Sequence, residues 1–421
     1  MKMNRLTTWI GIAMVLGIVV GYACHALAPT PAAAKEIAGY FGILTDIFLR
    51  LIKMIIAPLV FTTLVVGIAK MGDTRTVGRI GVKTLGWFML ASLMSLTLGL
   101  VMVHLMQPGV GLSLSLPDDG ASSGVLATAI SLKDFVTHAI PKSVVEAMAT
   151  NEILQIVVFS LFFGLAAAAL GDDAKPVVKL MASGAEIMLK VTGYVMNFAP
   201  FAVFGAIAAM VAKEGLGILA TYGTFMAQFY LALGCLWLLL IAMGSLFIRR
   251  RILTLLALIR EPILLAFSTA SSEAAYPKTL DRLEKFGCDK RIASFVLPMG
   301  YSFNLDGSMM YCTFAVMFIA QAYGIELSMA QQITMLLLLM VTSKGMAGVP
   351  RASLVVIAAT LNQFQIPEAG ILLLLGIDHF LDMGRSATNV LGNAIAASVV
   401  AKTEDSLGET APLGETDLAK V

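Results

Sequence analysis

The chain contains several long stretches without a single charged side chain, and this pattern limits the folds open to it. Four of these stretches are Thr84–Gln107, Ile153–Leu170, Val191–Ala212 and Leu219–Ile248. A helix of about 20 such residues crosses the hydrocarbon core of a bilayer, which is about 30 Å thick. Only 13% of the 421 residues are charged, against about 25% in soluble domains. The sequence therefore predicts an all-α membrane protein with many spans.

Eight transmembrane helices are predicted from the apolar stretches between polar loops. They cover residues 7–28, 43–70, 80–106, 145–170, 177–212, 219–248, 290–323 and 367–401. Basic residues mark cytoplasmic loops, and here they precede the first span and recur in every second loop, at Arg5, Arg75, Arg79, Lys83, Lys175, Lys179 and Arg249–Arg251. Both termini are therefore expected in the cytoplasm. Thr8–Ala23 also resembles a signal peptide, but its length and the following Pro29 favour an uncleaved span.

Two further apolar segments are interrupted by small and polar residues. Residues 252–284 are broken at 268–273, and residues 328–362 are broken at 342–350. Each is predicted to form two half-helices joined at a tip, as a re-entrant hairpin. Irregular backbone at membrane depth is tolerated only where protein buries it or where it lines a water-filled cavity. Each hairpin precedes a polar span and the two start on opposite sides, so an inverted repeat is predicted, which is typical of secondary transporters.

The last apolar stretch carries a stripe of polar side chains. Its members, spaced four, three, four and four residues apart, are Asp378, Asp382, Arg385, Asn389 and Asn393. On a helix they fall within a sector of roughly 80°. A charge at the centre of a membrane helix costs at least about 2.5–3.5 kcal/mol, so such residues are functional candidates by default. A second stripe, Asp46, Arg50 and Lys53, is interpreted as local pairing within the second span.

The charges of the stripe match a substrate that carries both signs. Arg385 offers a forked, permanently charged donor that suits a carboxylate. Asp382 can pair with an ammonium group, and Asn389 can donate to a second carboxylate. Hairpin tips add backbone N–H groups that favour anions. The alternative is an internal Asp382–Arg385 ion pair that joins helices, but it does not explain the interrupted hairpins.

Four other oxygen donors suit a small cation. Asn304 and Asp306 flank a predicted break in the seventh span, and Asp306 is its only acidic side chain. Together with backbone carbonyls, the group that could hold Na+ is Asn304, Asp306, Asn389 and Asn393. Hydrogen bonding between helices is the alternative use of such side chains.

Other classes of function find little support in the sequence. Asp378 and Asp382 share one helix, whereas an intramembrane aspartyl protease needs two facing helices, so no enzyme activity is expected. The four cysteines and four histidines show no metal-ligand spacing, and no basic run suits nucleic acid. No cofactor is expected beyond a coupling ion, H+ or Na+. The acidic segment 402–421 is predicted to be a disordered cytoplasmic tail.

Four motifs in order resemble the dicarboxylate/amino acid:cation symporters, the glutamate transporter family. They are Ala270-Ser271-Ser272-Glu273, Asn304-Leu305-Asp306-Gly307-Ser308, Ser343–Pro350 and Asp378–Arg385. The likeness covers nearly the whole chain and is closest to bacterial proton/glutamate-aspartate symporters. It implies a homotrimer in the bacterial inner (plasma) membrane.

The resemblance also implies a division into two domains. A scaffold would comprise residues 1–70 and 145–212. A transport domain would comprise 80–106 and 219–401, including hairpin 1 at 252–284 and hairpin 2 at 328–362. The transport domain would move through the membrane as an elevator.

The resemblance implies roles for individual residues. Arg385 would hold the side-chain carboxylate of an acidic amino acid and Asp382 its amine. The α-carboxylate and its surroundings would involve Asn389, Ser271, Ser272, Ser386, Gly348 and Val349. Members that carry C4-dicarboxylates tend to have Ser at the position of Asp382. Aspartate or glutamate is therefore the expected substrate, a C4-dicarboxylate such as succinate, fumarate or malate is the alternative, and an ion channel gated by the hairpins is a third interpretation.

The chain departs from sodium-coupled members at the ion site. Asn393 stands where they have an aspartate, and Phe88 and Ala91 replace hydroxyl side chains, leaving Ser92. Bacterial proton symporters resemble this chain at Asn393 and Glu273. Proton coupling is therefore favoured over sodium, with Glu273 and Asp306 as candidate carriers. Arg351 stands where the family usually has Gly, and the sequence does not explain it.

Overall fold

The computed structural model describes residues 3–71, 74–110, 137, 139–215, 217–343, 352–375 and 377–410. Across these residues the regular structure is helical, apart from one isolated bridge between Cys288 and Leu407. The α-helices in the first half of the chain are α1 (Met3–Leu27), α2 (Pro31–Met71), α3 (Thr74–Met106), α4 (Val144–Ala149), α5 (Ile153–Leu170), α6 (Lys175–Val195), α7 (Ala199–Glu214) and α8 (Gly217–Ile248). Those in the second half are α9 (Arg251–Thr269), α10 (Tyr276–Phe286), α11 (Lys290–Phe303), α12 (Asp306–Ala322), α13 (Met329–Thr342), α14 (Ala352–Gln363), α15 (Leu372–Leu375) and α16 (Asp378–Thr403).

Seven helical segments of the described chain are long and apolar enough to cross a membrane. They are Thr8–Leu27, Pro31–Ala69, Arg75–Met106, Ile153–Glu214, Tyr222–Ile248, Arg251–Thr269 and Lys290–Ala322. The segment Ile153–Glu214 contains three helices, α5 to α7, joined by short 3₁₀ turns. Helix α16 is not among the seven because its polar stripe lowers its hydropathy. The prediction of an all-α membrane protein is confirmed.

The first interrupted segment is a pair of helices joined by a short tip. Helix α9 ends at Thr269, and Ala270 then adopts a left-handed conformation with φ of 51°. A 3₁₀ turn, Glu273–Ala275, leads into α10, where Pro277 occupies the first turn and its missing N–H costs nothing. The two arms pack on each other and α9 lies along α16. We call this unit hairpin 1.

The second interrupted segment also contains two helices. Ser328 begins α13 with a capping box, in which its hydroxyl accepts from the backbone N–H of Gln331 and the Gln331 side chain accepts in return. Helix α13 ends at Thr342 and α14 begins at Ala352. Residues 344–351, which contain most of the tip predicted at 342–350 and also Arg351, lie outside the described residues.

The long helices form two packing groups. In one, α2 packs against α5, α6 and α7, and α1 packs against α7. In the other, α16 is the central helix and contacts α8, α9, α11 and α12, while α3 packs on α12. The two groups meet where α2 lies along α11. Helix α16 is therefore surrounded by protein on most sides, which lets it carry buried polar groups.

Of the predicted tail over 402–421, residues 402–410 are described, and they contact the helices. Glu404 forms ion pairs with Arg79 at 2.7 Å and Lys83 at 2.5 Å, at the start of α3. These hydrogen bonds, chiefly those from Arg79, lower the pKa of the Glu404 carboxyl group. The residues after Glu404 bond through their backbone to the connection between α10 and α11. Residues 411–421 lie outside the described part of the chain.

Candidate functional site

The candidate site is built around a break between α11 and α12. Asn304 (φ −126°, ψ 58°) and Leu305 (φ −94°, ψ 66°) leave helical geometry, and α12 starts at Asp306. A break frees backbone groups that a continuous helix would pair internally. At Gly307 a Cβ atom would lie 2.3 Å from the carbonyl oxygen of Arg385. Glycine therefore lets α16 approach the start of α12 closely enough for side chains to reach the free groups.

The polar stripe of α16 is fully buried against this break. Asp378, Asp382, Arg385 and Asn389 are 0% exposed and Asn393 is 1% exposed. The predicted helical face therefore exists, and the structure brings it together with Asn304 and Asp306. Charged groups buried to this degree need specific partners, since desolvation alone is costly.

Arg385 is held by partners on both helices. Its Nε lies 2.7 Å from Oδ1 of Asp382, one turn earlier on α16. One terminal nitrogen donates to Oγ of Ser308 at 3.0 Å, and the other donates to Oγ of Ser386 at 3.4 Å. The guanidinium group is thus fixed between α16 and the first turn of α12. Two of its contacts are neutral hydroxyl groups, which a carboxylate could replace with a stronger charge-assisted bond.

Asn389 serves as a cap for the broken helix. Its Oδ1 accepts hydrogen bonds from the backbone N–H groups of Gly307 at 2.9 Å and Ser308 at 3.3 Å. Its Nδ2 donates to Oγ of Ser308 at 3.0 Å. These are the N–H groups that lack helical partners at a helix start. Ser308 therefore joins Arg385 and Asn389, and sequence reasoning missed it as a site residue although it directly follows the predicted break.

A second cluster surrounds Asp306. The side-chain amide of Asn304 donates to Oδ2 of Asp306 at 3.0 Å and to Oδ1 of Asn393 at 3.2 Å. The hydroxyl of Ser95 in α3 lies 3.3 Å from Oδ1 of Asp306. Ser92 donates to the carbonyl of Phe88 at 2.5 Å. Ser95, three residues further along α3, is a contact of Asp306 that the sequence analysis did not select.

This cluster has the chemistry of a small cation or proton site. Among the described residues, Oδ1 of Asn304 is buried and accepts no hydrogen bond. Two glycines leave room for the side chains of this cluster. A Cβ at Gly300 would lie 2.3 Å from Oδ1 of Asn393, and one at Gly392 would lie 1.9 Å from Oδ2 of Asp306. The donors are hard oxygens with one carboxylate, a set that favours an alkali ion or a proton over a transition metal. The described residues include no cluster of three or more His, Cys, Asp or Glu side chains.

The tip of hairpin 1 lies beside the middle of α16. Ala270 and Met383 belong to one cluster of buried apolar side chains, and Ala275 and Val390 belong to another. Met383 and Val390 flank Arg385 along α16. Ser271, Ser272 and Glu273 are all buried. Oγ of Ser271 accepts from the backbone N–H of Ala274 at 3.4 Å. The predicted residues Gly348 and Val349 of the second tip lie outside the described residues.

Helices around the stripe hold α16 in register. The hydroxyl of Tyr311 in α12 donates to Oδ1 of Asp378 at 2.7 Å. Trp237 in α8 donates through Nε1 to the hydroxyl of Thr388 at 2.8 Å, and Tyr230 donates to the carbonyl of Phe380 at 2.6 Å. The bond from Tyr311 ties the stripe itself to α12, whereas those from Trp237 and Tyr230 tie other positions of α16 to α8. They fix the rotation of the helix and so direct the stripe toward α12.

Apolar helices that can span a bilayer, together with a buried site that carries both charge signs at a helix break, define a polytopic membrane transporter. The model of the Sodium:dicarboxylate symporter family matches residues 6–403. The chain therefore belongs to this family, whose members are cation-coupled symporters and not enzymes. The resemblance found in the four motifs is confirmed.

Several characterised relatives match nearly the whole chain. A proton/sodium-glutamate symport protein of Bacillus caldotenax is 40% identical over 422 residues, which cover 97% of each chain. A C4-dicarboxylate transport protein of Laribacter hongkongensis (strain HLHK9) is 40% identical over 94% of this chain and 89% of its own length. A proton/glutamate-aspartate symporter of Bacillus subtilis (strain 168) is 38% identical over 93% of each chain. The relatives thus divide between two substrate classes at similar identity.

Proposed function

We propose that the protein takes up aspartate or glutamate by symport with a cation, and that this cation is a proton rather than sodium. The observation that carries the substrate assignment is the buried pair of Asp382 and Arg385 on one face of α16. A carboxylate and a guanidinium one turn apart offer opposite charges at a spacing that a small zwitterionic dicarboxylate can match. Family membership supports the transport class, and these residues support the proposed substrate class.

Binding would exchange internal contacts of the site for contacts with substrate. The side-chain carboxylate would replace the hydroxyl groups of Ser308 and Ser386 on Arg385 and form a bidentate pair with it. The ammonium group would bind Asp382. The α-carboxylate would bind near Asn389, Ser271 and Ser272, with Gly348 and Val349 of the second tip closing the site. The tip of hairpin 1 supports this arrangement because it packs beside α16 at that level.

The proposal of proton coupling rests on the sparse set of anionic oxygens around Asp306. Asn393 is neutral and donates no charge to the cluster, and Phe88 and Ala91 present no hydroxyl group from α3. A single carboxylate, Asp306, is a weak basis for holding several sodium ions. Glu273, in the tip of hairpin 1, is also buried and is a second candidate proton carrier. The relative from Bacillus caldotenax is named for both the proton and sodium, and the one from Bacillus subtilis for the proton.

The architecture that follows from family membership is also part of the proposal. We infer eight spans and two re-entrant hairpins related as inverted repeats, with α16 as the eighth span. Residues 1–70 and 145–212 would form a scaffold, while 80–106 and 219–401 would move as an elevator. Three copies would assemble in the plasma membrane, with both termini in the cytoplasm. The two packing groups of helices, which meet along α2 and α11, support this division.

A C4-dicarboxylate symporter is the second candidate function. Relatives with that name are as similar to this chain as those named for glutamate. In the structure Asp382 already pairs with Arg385, so its charge can be satisfied without a substrate amine. Under this alternative Asp382 would only position Arg385, and two carboxylates would be bound by Arg385 and the backbone of the tips.

Uptake of radiolabelled L-aspartate into proteoliposomes tests the proposal. Proton and sodium gradients are imposed separately, and succinate is added as a competitor in each case. Accumulation driven by an inward proton gradient without sodium, with weak competition by succinate, is the expected result. Strict sodium dependence would overturn proton coupling, and succinate uptake without aspartate uptake would favour the second candidate. Current without accumulation would instead indicate an ion channel.

A further inference from the structure

Glu273 faces the boundary between hairpin 1 and α2. A cavity of about 30 Å³ lies at this boundary, and its polar lining consists of Lys53 from α2 together with Ser271 and Glu273 from the tip. The rest of its wall is apolar and includes Ile52 and Ile56 of α2. A cavity of this size holds about one water molecule. Glu273 is only 7% exposed, but it adjoins this cavity, which can hold a water molecule.

On its other side Glu273 adjoins a space with no room for water. Tyr276 of α10 and Tyr301 of α11 line this space, together with apolar side chains of α2 and α5. Both tyrosines are 2% exposed, and their rings meet edge to face with centroids 5.5 Å apart. Each hydroxyl has a threonine beside it, Thr63 for Tyr276 and Thr279 for Tyr301, and Tyr301 also interacts electrostatically with Glu273.

Three charged or titratable side chains besides Glu273 line the two spaces. Helix α2 contributes Lys53, α10 contributes Tyr276 and α11 contributes Tyr301 to the lining of the two spaces. Helix α5 contributes only Ile153, and α9 ends before the tip without adding a titratable group to either lining. One cation, Lys53, thus lines the cavity on one side of Glu273, and two phenols, Tyr276 and Tyr301, line the space without room for water.

We propose that Glu273, Tyr276 and Tyr301 form the site of the coupling proton at the boundary between hairpin 1 and α2. This inference rests on the proposed proton symport. A hydronium ion in the cavity beside Lys53 gives its proton to a carboxylate oxygen of Glu273, leaving water and a neutral carboxylic acid. The reverse transfer to water on the opposite side of the membrane completes the cycle. The dry space behind the acid prevents a continuous water path that would leak protons.

The tyrosines act on Glu273 as positioning residues. A phenol can donate to the carboxylate while the acid is ionised and accept from the carboxylic O–H after protonation, by rotation of its own hydroxyl group. Donation to the ionised form favours that form and lowers the affinity of the acid for a proton. The positive charge of Lys53 also lowers the affinity of Glu273 for a proton while hairpin 1 lies beside α2. Movement of hairpin 1 away from α2 would remove Lys53 and strengthen proton binding, which couples the proton to the movement.

The test compares single-atom variants of the purified transporter in proteoliposomes. Tyr301→Phe and Tyr276→Phe remove only a hydroxyl, Glu273→Gln removes the titration, and Tyr222→Phe in α8 is a matched control outside both spaces. Uptake driven by a proton gradient is measured against pH, and exchange of internal for external aspartate is measured in parallel because exchange needs no net proton movement. We expect Glu273→Gln to lose uptake by at least about tenfold while its exchange changes by less than about threefold.

The tyrosine variants give a readout that a packing role would not produce. Loss of a donor to the carboxylate should move the pH midpoint of uptake upward by about half a unit to one unit, and Tyr222→Phe should leave it unchanged. Adding Tyr301→Phe to Glu273→Gln should cause no further loss of uptake, because the acid on which the hydroxyl acts no longer titrates. Unchanged midpoints in both tyrosine variants, or proton-driven accumulation by Glu273→Gln, would overturn this inference alone. A wild-type protein that accumulates aspartate only with sodium would overturn the proposed proton symport itself.

Discussion

Two helices of this chain carry charged side chains at the same spacing, yet the structure uses them differently. Asp378, Asp382 and Arg385 on α16 are four and three residues apart, as are Asp46, Arg50 and Lys53 on α2. The three on α16 are completely buried, whereas the three on α2 are exposed. Spacing thus determines which side chains share a helical face, but only the neighbouring helices determine what that face contacts.

Helix length explains why α2 can tolerate its exposed charges. Its 41 residues extend about 60 Å, which is twice the thickness of the hydrocarbon core. Asp46 and Arg50 lie in the first 20 residues of α2, so they can reach the interfacial region while the rest of the helix spans the core, whereas Lys53 borders the cavity beside hairpin 1. The spacing also permits an ion pair between Asp46 and Arg50, but none joins them in the described structure. Helix α16 has 26 residues and carries its stripe along most of its length.

The largest effect is expected from Arg385→Ala on the buried stripe. Loss of the guanidinium group removes the only cation of the stripe, so uptake of aspartate should fall by at least about 100-fold. The variant leaves Asp382 buried without its partner, which can cost about 3–5 kcal/mol of stability. Arg385→Lys keeps the positive charge but loses the forked donors of the guanidinium group, so uptake of aspartate should still fall about tenfold. Wild-type uptake by a monodisperse Arg385→Ala protein would disprove the site assignment.

Asp382→Ser should change the selectivity between aspartate and succinate more than the maximal rate of uptake. If Asp382 binds the substrate amine, its loss should weaken inhibition by aspartate by about 30-fold or more while succinate binding is retained or improved. Inhibition constants for the two compounds in the same vesicles measure the ratio. Asp382→Asn is a near-isosteric second variant that separates loss of charge from loss of volume. An equal loss for aspartate and succinate would mean that Asp382 only positions Arg385.

Gly300→Ala tests whether Asn393 belongs to the working site. The added Cβ would lie 2.3 Å from Oδ1 of Asn393 and would push that side chain away from Asn304. Alanine is favoured over glycine in a helix by about 1 kcal/mol, so a loss of uptake cannot come from helix propensity. Gly86→Ala in α3 is the matched control, because its Cβ meets no atom within 4 Å. We expect about a tenfold loss at Gly300 and less than a twofold change at Gly86, measured as initial uptake rates.

Much of the fold could be predicted from the sequence because membrane helices depend on local patterns. The two breaks at Ala270 and at Asn304 were visible as small and polar residues inside apolar runs, and both are helix ends in the structure. The stripe of α16 was visible because its spacing is periodic. Ser308 and Ser95 could not be predicted as site residues, since a single serine in an apolar helix forms no periodic pattern. Their roles arise only where α3, α12 and α16 meet, a contact between segments far apart in the chain.

The smallest effect is expected from Arg50→Ala on the exposed stripe, and it is the counterpart of Arg385→Ala. Arg50 forms no ion pair within the described part of the chain and borders neither space around Glu273. Loss of an exposed charge of this kind typically changes stability by less than about 0.5 kcal/mol. Initial uptake rates should therefore stay within about twofold of wild type, at both low and high salt. A loss comparable to that of Arg385→Ala would show that the exposed face of α2 meets a charged surface during transport, and helical spacing would then be a better guide to function than burial in one structure.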